Sequence, residues 1–330
     1  MAVMVTGGLG VIGSLVVRRL LEEGHTCVIF DNRATDTSLV ADLLPRVSVE
    51  AGDITDLAHL LAIIRRHHVE RVIHMAAVLD LLDHERPPLT MAANVHGTMN
   101  VFEAAHILGL KRVVFCSSRG VYREATGQHA HPTYAPIDEN FPQIGPAPEN
   151  SLYDATKQFA EHLATAYRKR YAIDFVGLRF ASTFSYGKQA RHGPGSIISR
   201  MVENAVDGIP TVISVGGDQK NDLIYSKDAA SAVVLACFAA DPASRFYHIG
   251  TGKASSLRDV AAAIRKEIPG AEIEVGPGLH YLGHGKRLYA VFDINRAHTE
   301  LGYSPGFTLN EGVADYIATM RQLRQAARED

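Results

Sequence analysis

The chain has 330 residues, enough for one large domain or two interleaved ones. It is 46% hydrophobic and 21% charged, with a net charge of -3, an ordinary globular balance that argues against a nucleic-acid or membrane-surface role. No apolar run reaches the ~18 residues of a membrane span, and Cys27, Cys116 and Cys237 fall in apolar segments, as small buried hydrophobes do.

A first strand over 2–6 leaves no room for a signal peptide, and a cytoplasmic protein is expected. The strand runs into Thr6-Gly7-Gly8-Leu9-Gly10-Val11-Ile12-Gly13 and then an amphipathic helix over 11–23. Gly7 permits a tight turn, Gly10 lets backbone N–H groups approach a pyrophosphate, and Gly13 lets the helix pack close to its strand. The helix N-terminus adds free N–H groups and a partial positive charge. A second strand over 26–30 ends in Asp31, which can accept hydrogen bonds from both adenosine ribose hydroxyls and would repel a 2′-phosphate. The plainer alternative is an ordinary strand–helix turn followed by a capping Asp.

Strands over 46–50, 71–75, 112–117 and 173–179 alternate with helices over 57–67, 91–108 and 151–171. Asp56 and Ser151 are N-caps; Gly24 and Gly109 are stops. His67 and His68 end a helix and face water, and the 16 histidines make no metal-binding motif. This alternation of apolar strands and helices predicts an α/β fold, a Rossmann-type doubly wound parallel sheet, over 1–180. Beyond 180 short helices and strands mix with Gly and Pro. Residues 181–330 are expected to form a smaller C-terminal substrate-binding lobe, partly interleaved with the first domain. Between them, 122–150 is a long polar loop with five prolines, a length that is usually functional or disordered.

The 151–171 helix carries Tyr153 and Lys157, four apart and so on one face. A phenol with pKa ~10 is a poor base at neutral pH, and a nearby ammonium favours its phenolate. The alternative is a surface pair. Ser117 and Ser118 fall at the C-terminal end of a strand, the edge where open α/β sheets bind ligands, so a serine hydroxyl there can bridge substrate and tyrosine.

Taken together, these segments resemble the extended short-chain dehydrogenase/reductases of the NAD-dependent epimerase/dehydratase family, in its UDP-glucose 4-epimerase-like branch. The likeness spans nearly the whole chain. It includes the Thr6–Gly13 turn, Asp31-Asn32, Gly52-Asp53-Ile54, His74-Met75-Ala76-Ala77, Asn94-Val95-His96-Gly97-Thr98 and Ser117-Ser118 before Val121-Tyr122. It continues through Tyr153 to Lys157, Leu178-Arg179-Phe180, and Ile224-Tyr225 before Asp228. The resemblance implies NAD as cofactor and Tyr153 as general base. It also implies Lys157 on the nicotinamide ribose and Ser118 on the reacting oxygen. Asp53 and Ile54 would meet the adenine, Ala76 and Ala77 the cofactor channel, and Asn94 would support the active site; Val11, Ile12 and Asn32 complete the implied cofactor contacts. Plainer readings make Asp53 a turn cap and Asn94 a helix anchor. The family further implies a homodimer built on a four-helix bundle.

Departures bear on the substrate. Arg119-Gly120 stands where sugar 4,6-dehydratases carry an Asp-Glu pair, so dehydration lacks its proton carriers. Asn221 replaces the usual diphosphate-gripping Arg, and Ala181-Ser182 replaces Phe-Asn. Both changes weaken the case for a nucleotide sugar. Arg287, Arg191 and Lys188 could bind phosphate or be solvated surface charges. Arg119 could fork onto a carboxylate or phosphate, or make a salt bridge at the strand end. The expected function is an NAD-dependent sugar or nucleotide-sugar epimerase working through a transient keto intermediate. The alternative is an NAD-dependent dehydrogenase or ketoreductase of a smaller hydroxylated substrate. Arg119, Ser182, Asn221 and Arg287 are the candidate substrate residues, no metal site is expected, and recognition is expected to depend on Arg119 and the 122–150 loop.

Overall fold

The computed structural model describes residues 1–79, 86–145, 151–192, 196–281 and 289–329. Its centre is a seven-stranded sheet in the order β10-β6-β5-β4-β1-β2-β3. These strands are β1 (Ala2–Thr6), β2 (Thr26–Asp31), β3 (Ser48–Ala51), β4 (Arg71–His74), β5 (Arg112–Ser118), β6 (Phe175–Phe180) and β10 (Phe246–Ile249). Every neighbouring pair is parallel. The order reverses between β1 and β4, the switch point at which such sheets open a crevice.

Burial on both faces explains the continuous apolar strands. Along β1, Val3 and Val5 join one core with Val16, Val17 and Leu20 of helix Val11–Glu22 and with helix Ser226–Phe238. Met4 points to the other face, into a core with Leu60, Ile63, Phe102 and Ala160 from helices Leu57–Arg66, Thr98–Leu108 and Leu152–Tyr171. Cys27, Cys116 and Cys237 are buried and free, as the sequence suggested. Burial pushes each thiol up to about 12.

After β6 the chain forms a second layer. Strands β7 (Ser182–Phe184), β9 (Lys220–Tyr225) and β11 (Ala254–Ser256) make a small sheet, and β8 (Thr211–Ile213) pairs with β12 (Ile273–Val275). Helices Ile197–Val206, Leu257–Glu267 and Leu309–Glu329 close a third core there around Met201, Val260 and Tyr316. Ser256 and Asp259 make a reciprocal capping box on the second of these helices. From this half, β10 pairs with β6 in the main sheet.

Three local expectations change. β3 starts at Ser48, because a 3₁₀ helix takes up Ala41–Arg46. The helix expected over 91–108 is a relay of Pro87–Met91, a π-helical segment Ala92–Gly97, and Thr98–Leu108. The wider π turn carries Asn94, whose amide is engaged on both sides of the site. His67 does not simply face water: its Nε2 lies 2.6 Å from Glu50, with a side chain 21% exposed. Among the described residues no helix is long and apolar enough to cross a membrane.

Candidate functional site

The C-terminal ends of β1, β4, β5 and β6 converge at the switch point. The first contribution is the glycine turn. Gly7 has φ +70°, and a Cβ there would lie 2.7 Å from the Ala76 nitrogen. At Gly13 a Cβ would lie 2.2 Å from the Gly7 carbonyl oxygen, so the helix can sit this close only without a side chain. Gly10 caps the helix with no side-chain hydrogen bond, which leaves the first-turn N–H groups of Val11, Ile12 and Gly13 without a side-chain cap. That is the cradle a pyrophosphate needs.

At the tip of β2, Asp31 is buried, accepting from the Leu9 N–H at 3.1 Å and the Arg33 N–H at 2.9 Å. A carboxylate has about four acceptor positions, so capacity remains for ribose hydroxyls. Asn32 beside it is exposed. Asp53 accepts from the Thr55 N–H and hydroxyl, each at 2.8 Å, which is the turn-capping arrangement. Ile54 is buried, and its carbonyl accepts from Asn100 at 2.9 Å.

Beneath the turn runs a fixed chain of hydrogen bonds. Thr98 Oγ1 donates to the Asn94 carbonyl at 2.7 Å, so His74 Nε2, at 3.0 Å, is the donor to Thr98. His74 Nδ1 then accepts from Thr6 Oγ1 at 2.8 Å. Burial, aided by the Lys157 charge, pulls His74 down to about 3, so the ring is neutral. Thr6 Oγ1 accepts in turn from the Met75 and Ala76 N–H groups and fixes the β4 exit, where Ala76 and Ala77 are half-buried. Asn94 completes this clamp. Its oxygen accepts from the Val78 N–H at 2.8 Å, and its NH₂ donates to the Val78 carbonyl and to Thr156.

Thr156 lies on helix Leu152–Tyr171, which Ser151 caps through the Asp154 N–H as expected. Lys157 Nζ donates to the Cys116 carbonyl at 2.7 Å and lies 5.4 Å from the centre of the Tyr153 ring. Burial holds its ammonium below the usual lysine value. At the end of β5, Ser118 Oγ accepts from the Gly120 N–H at 3.0 Å, whereas Ser117 points down and donates to Glu161 at 2.7 Å.

Ser118 and Tyr153 line one cavity of about 290 Å³, together with Ile12 of the glycine turn. Arg119, Ser182 and Lys188 line it too. Asn221 does not reach it. The side chain is fully buried and donates to Ser182 at 2.8 Å and to Tyr281 at 3.3 Å, so it orders two residues that do line the cavity. Arg287 lies outside the described residues. Arg191 is no solvated charge: it pairs with Asp36 at 2.7 Å and donates to the Leu9 carbonyl of the glycine turn. Tyr281 had no local signature in the sequence, arriving from a loop more than a hundred positions after Tyr153.

The described part of the long loop is tied down. Tyr122 opens it and is buried; Tyr134 accepts from Gln219 and the Lys220 N–H; Ile137 bridges to Phe292. None of its described residues 122–145 lines the cavity, so the expected direct role in recognition has no contact behind it there. Its end at 146–150 lies outside the described residues.

A model of the NAD dependent epimerase/dehydratase family matches residues 3–250. A protein of Methanocaldococcus jannaschii named a putative UDP-glucose 4-epimerase is 30% identical over 322 residues, covering 97% of this chain and 98% of its own. The Thermus thermophilus UDP-glucose 4-epimerase, solved with NAD, is 26% identical with TM-score 0.80, covering 97% of this chain and 99% of that one. MoeE5, solved with UDP-glucuronic acid and NAD, is 27% identical with TM-score 0.79, covering 98% and 99%.

Proposed function

This chain belongs to the NAD-dependent epimerase/dehydratase family, and from that premise we propose that it is a nucleotide-sugar epimerase working through a transient keto intermediate. The observation that carries the reading is one cavity lined by Ser118, Tyr153 and Ile12 of the glycine turn, with Lys157 behind the tyrosine. The uncapped turn, Asp31 and Lys157 fit NAD and would hold its pyrophosphate and riboses. When bound, NAD supplies the acceptor and donor for the hydride at the sugar carbon.

The protein's own residues move the proton. Tyr153 takes it from the substrate hydroxyl, with the Lys157 ammonium favouring the phenolate. Ser118 hydrogen-bonds the same oxygen and holds the resulting carbonyl in place. Turning the keto sugar over within the cavity lets Tyr153 return its proton to the opposite configuration. A net dehydrogenase would use the same residues but exchange its cofactor with solvent. Purified protein should therefore retain NAD through gel filtration and release none of it reduced during turnover. Cofactor lost on purification and consumed in proportion to product would replace this reading by the dehydrogenase one.

Asp31 makes NAD the preferred form. NADP should bind at least about tenfold more weakly, a difference of ~1.4 kcal/mol. Calorimetry that finds the two cofactors equal would contradict the role given to Asp31.

The proposal includes a homodimer. Met99 and Ile107 on one helix and Phe159 and Tyr171 on the next are each at least 40% exposed, an apolar face fit for a four-helix contact. Light scattering at micromolar concentration should give twice the 35.8 kDa chain mass. The single-chain mass would contradict it. A cytoplasmic setting, supported by three free, buried thiols, is also part of the proposal.

A further inference from the structure

Two cations line the same cavity as Ser118 and Tyr153. Arg119 directly follows Ser118, and Lys188 opens the helix Lys188–His192. Arg119 Nη1 is shielded from solvent and has no hydrogen-bond partner among the described residues. Lys188 Nζ donates to the Thr183 carbonyl at 2.8 Å and to Thr183 Oγ1 at 2.6 Å, both neutral acceptors. Burial and the like charge of Arg119 bring Lys188 down to about 8. No carboxylate among the described residues pairs with either cation. A neutral hexose would leave two partly buried charges facing it without a counter-charge, which is costly. A carboxylate answers both, taking a fork from Arg and a point charge from Lys.

We propose that Arg119 and Lys188 select a sugar that carries a carboxylate beside the reacting carbon, a nucleoside diphosphate uronic acid in place of a neutral hexose. This rests on the nucleotide-sugar reading of the same cavity. The other source of negative charge is the diphosphate, but Arg119 is the neighbour of Ser118, and Ser118 and Tyr153 mark the reacting end. The charges therefore belong to the sugar.

Calorimetry on the NAD-loaded protein tests this with three probes: UDP-glucuronic acid, UDP-glucose and UDP alone. The acid should bind about ten- to hundredfold more tightly than the hexose, the range for one charged hydrogen bond. Lys188→Met and Arg119→Gln should each remove about tenfold or more of that preference and change UDP affinity by less than about twofold. Lys188→Arg, which keeps the charge, should keep most of the preference and guards against a variant that fails to fold. A wild-type protein that binds the hexose as well as the acid overturns the inference and leaves the epimerase reading standing. Variants that weaken UDP as much as the acid also overturn it, by assigning the cations to the diphosphate. If none of the three probes binds the wild-type protein, the inference and the nucleotide-sugar reading fall together.

Discussion

Tyr153→Phe should lower turnover by about 10²–10⁴, the worth of a positioned proton carrier, while NAD affinity stays within about twofold. The variant keeps the ring, its place on helix Leu152–Tyr171 and its contact with the Lys157 ammonium, and removes only the oxygen. Its effect should therefore fall on kcat and spare cofactor binding. Lys157→Met makes a useful contrast. Lys157 donates to the Cys116 carbonyl and is assigned to the nicotinamide ribose, so its loss should harm turnover and NAD affinity together. Steady-state kinetics with direct NAD titration separates the two patterns. Near-normal turnover in Tyr153→Phe would remove the tyrosine from the chemistry.

Glu161→Ala should destabilise the fold by about 3–5 kcal/mol, the usual cost of leaving one partner of a buried ion pair alone. Arg179 and Glu161 side chains are each only 4% exposed and meet through two bonds, Nε to Oε1 at 2.8 Å and Nη2 to Oε2 at 2.6 Å. The remaining acceptor capacity of Glu161 is filled by Ser117 at 2.7 Å and Gln143 at 2.9 Å. Arg179 also donates to the Glu139 carbonyl at 2.8 Å. One carboxylate thus ties β5, β6, the long loop and the Tyr153 helix together directly below Ser118. Truncation leaves a buried guanidinium without its bidentate carboxylate. Replacing both partners, Glu161→Leu with Arg179→Met, should cost less than the single change, because no charge is then stranded. Urea unfolding of the three proteins checks this. A loss below about 1 kcal/mol in Glu161→Ala would show the pair to be dispensable.

The parts of this protein that were legible in its sequence are the local ones. Gly7, Gly10 and Gly13 state their purpose within eight residues, because only a missing Cβ allows the approach of Gly13 to Gly7. Tyr153 and Lys157 share a face through helical periodicity alone. Continuous apolar runs marked parallel strands covered on both sides. What could not be read depends on contacts across the chain. Nothing near residue 246 says that β10 will pair with β6, a partner some seventy residues earlier. Glu161 and Arg179 lie on different elements, and only the fold buries them against each other. Lys188 was an undecided cation until the cavity placed it with Arg119. Asn221, a candidate substrate residue in the sequence, is buried and holds Ser182 and Tyr281, two contacts that no local pattern announces. In the long loop, the described residues are held by Tyr134 and Ile137, through partners some eighty and a hundred and fifty residues later.

The most direct test of the epimerase account follows a deuterium label. A nucleoside diphosphate sugar carrying deuterium at the carbon that changes configuration is incubated with the purified protein, without added cofactor, and the products are analysed by NMR and mass spectrometry. The account predicts an equilibrium mixture of two epimers, both retaining the label at that carbon, with no reduced cofactor in solution. Loss of the label to solvent, or a keto product formed together with free NADH, would contradict it.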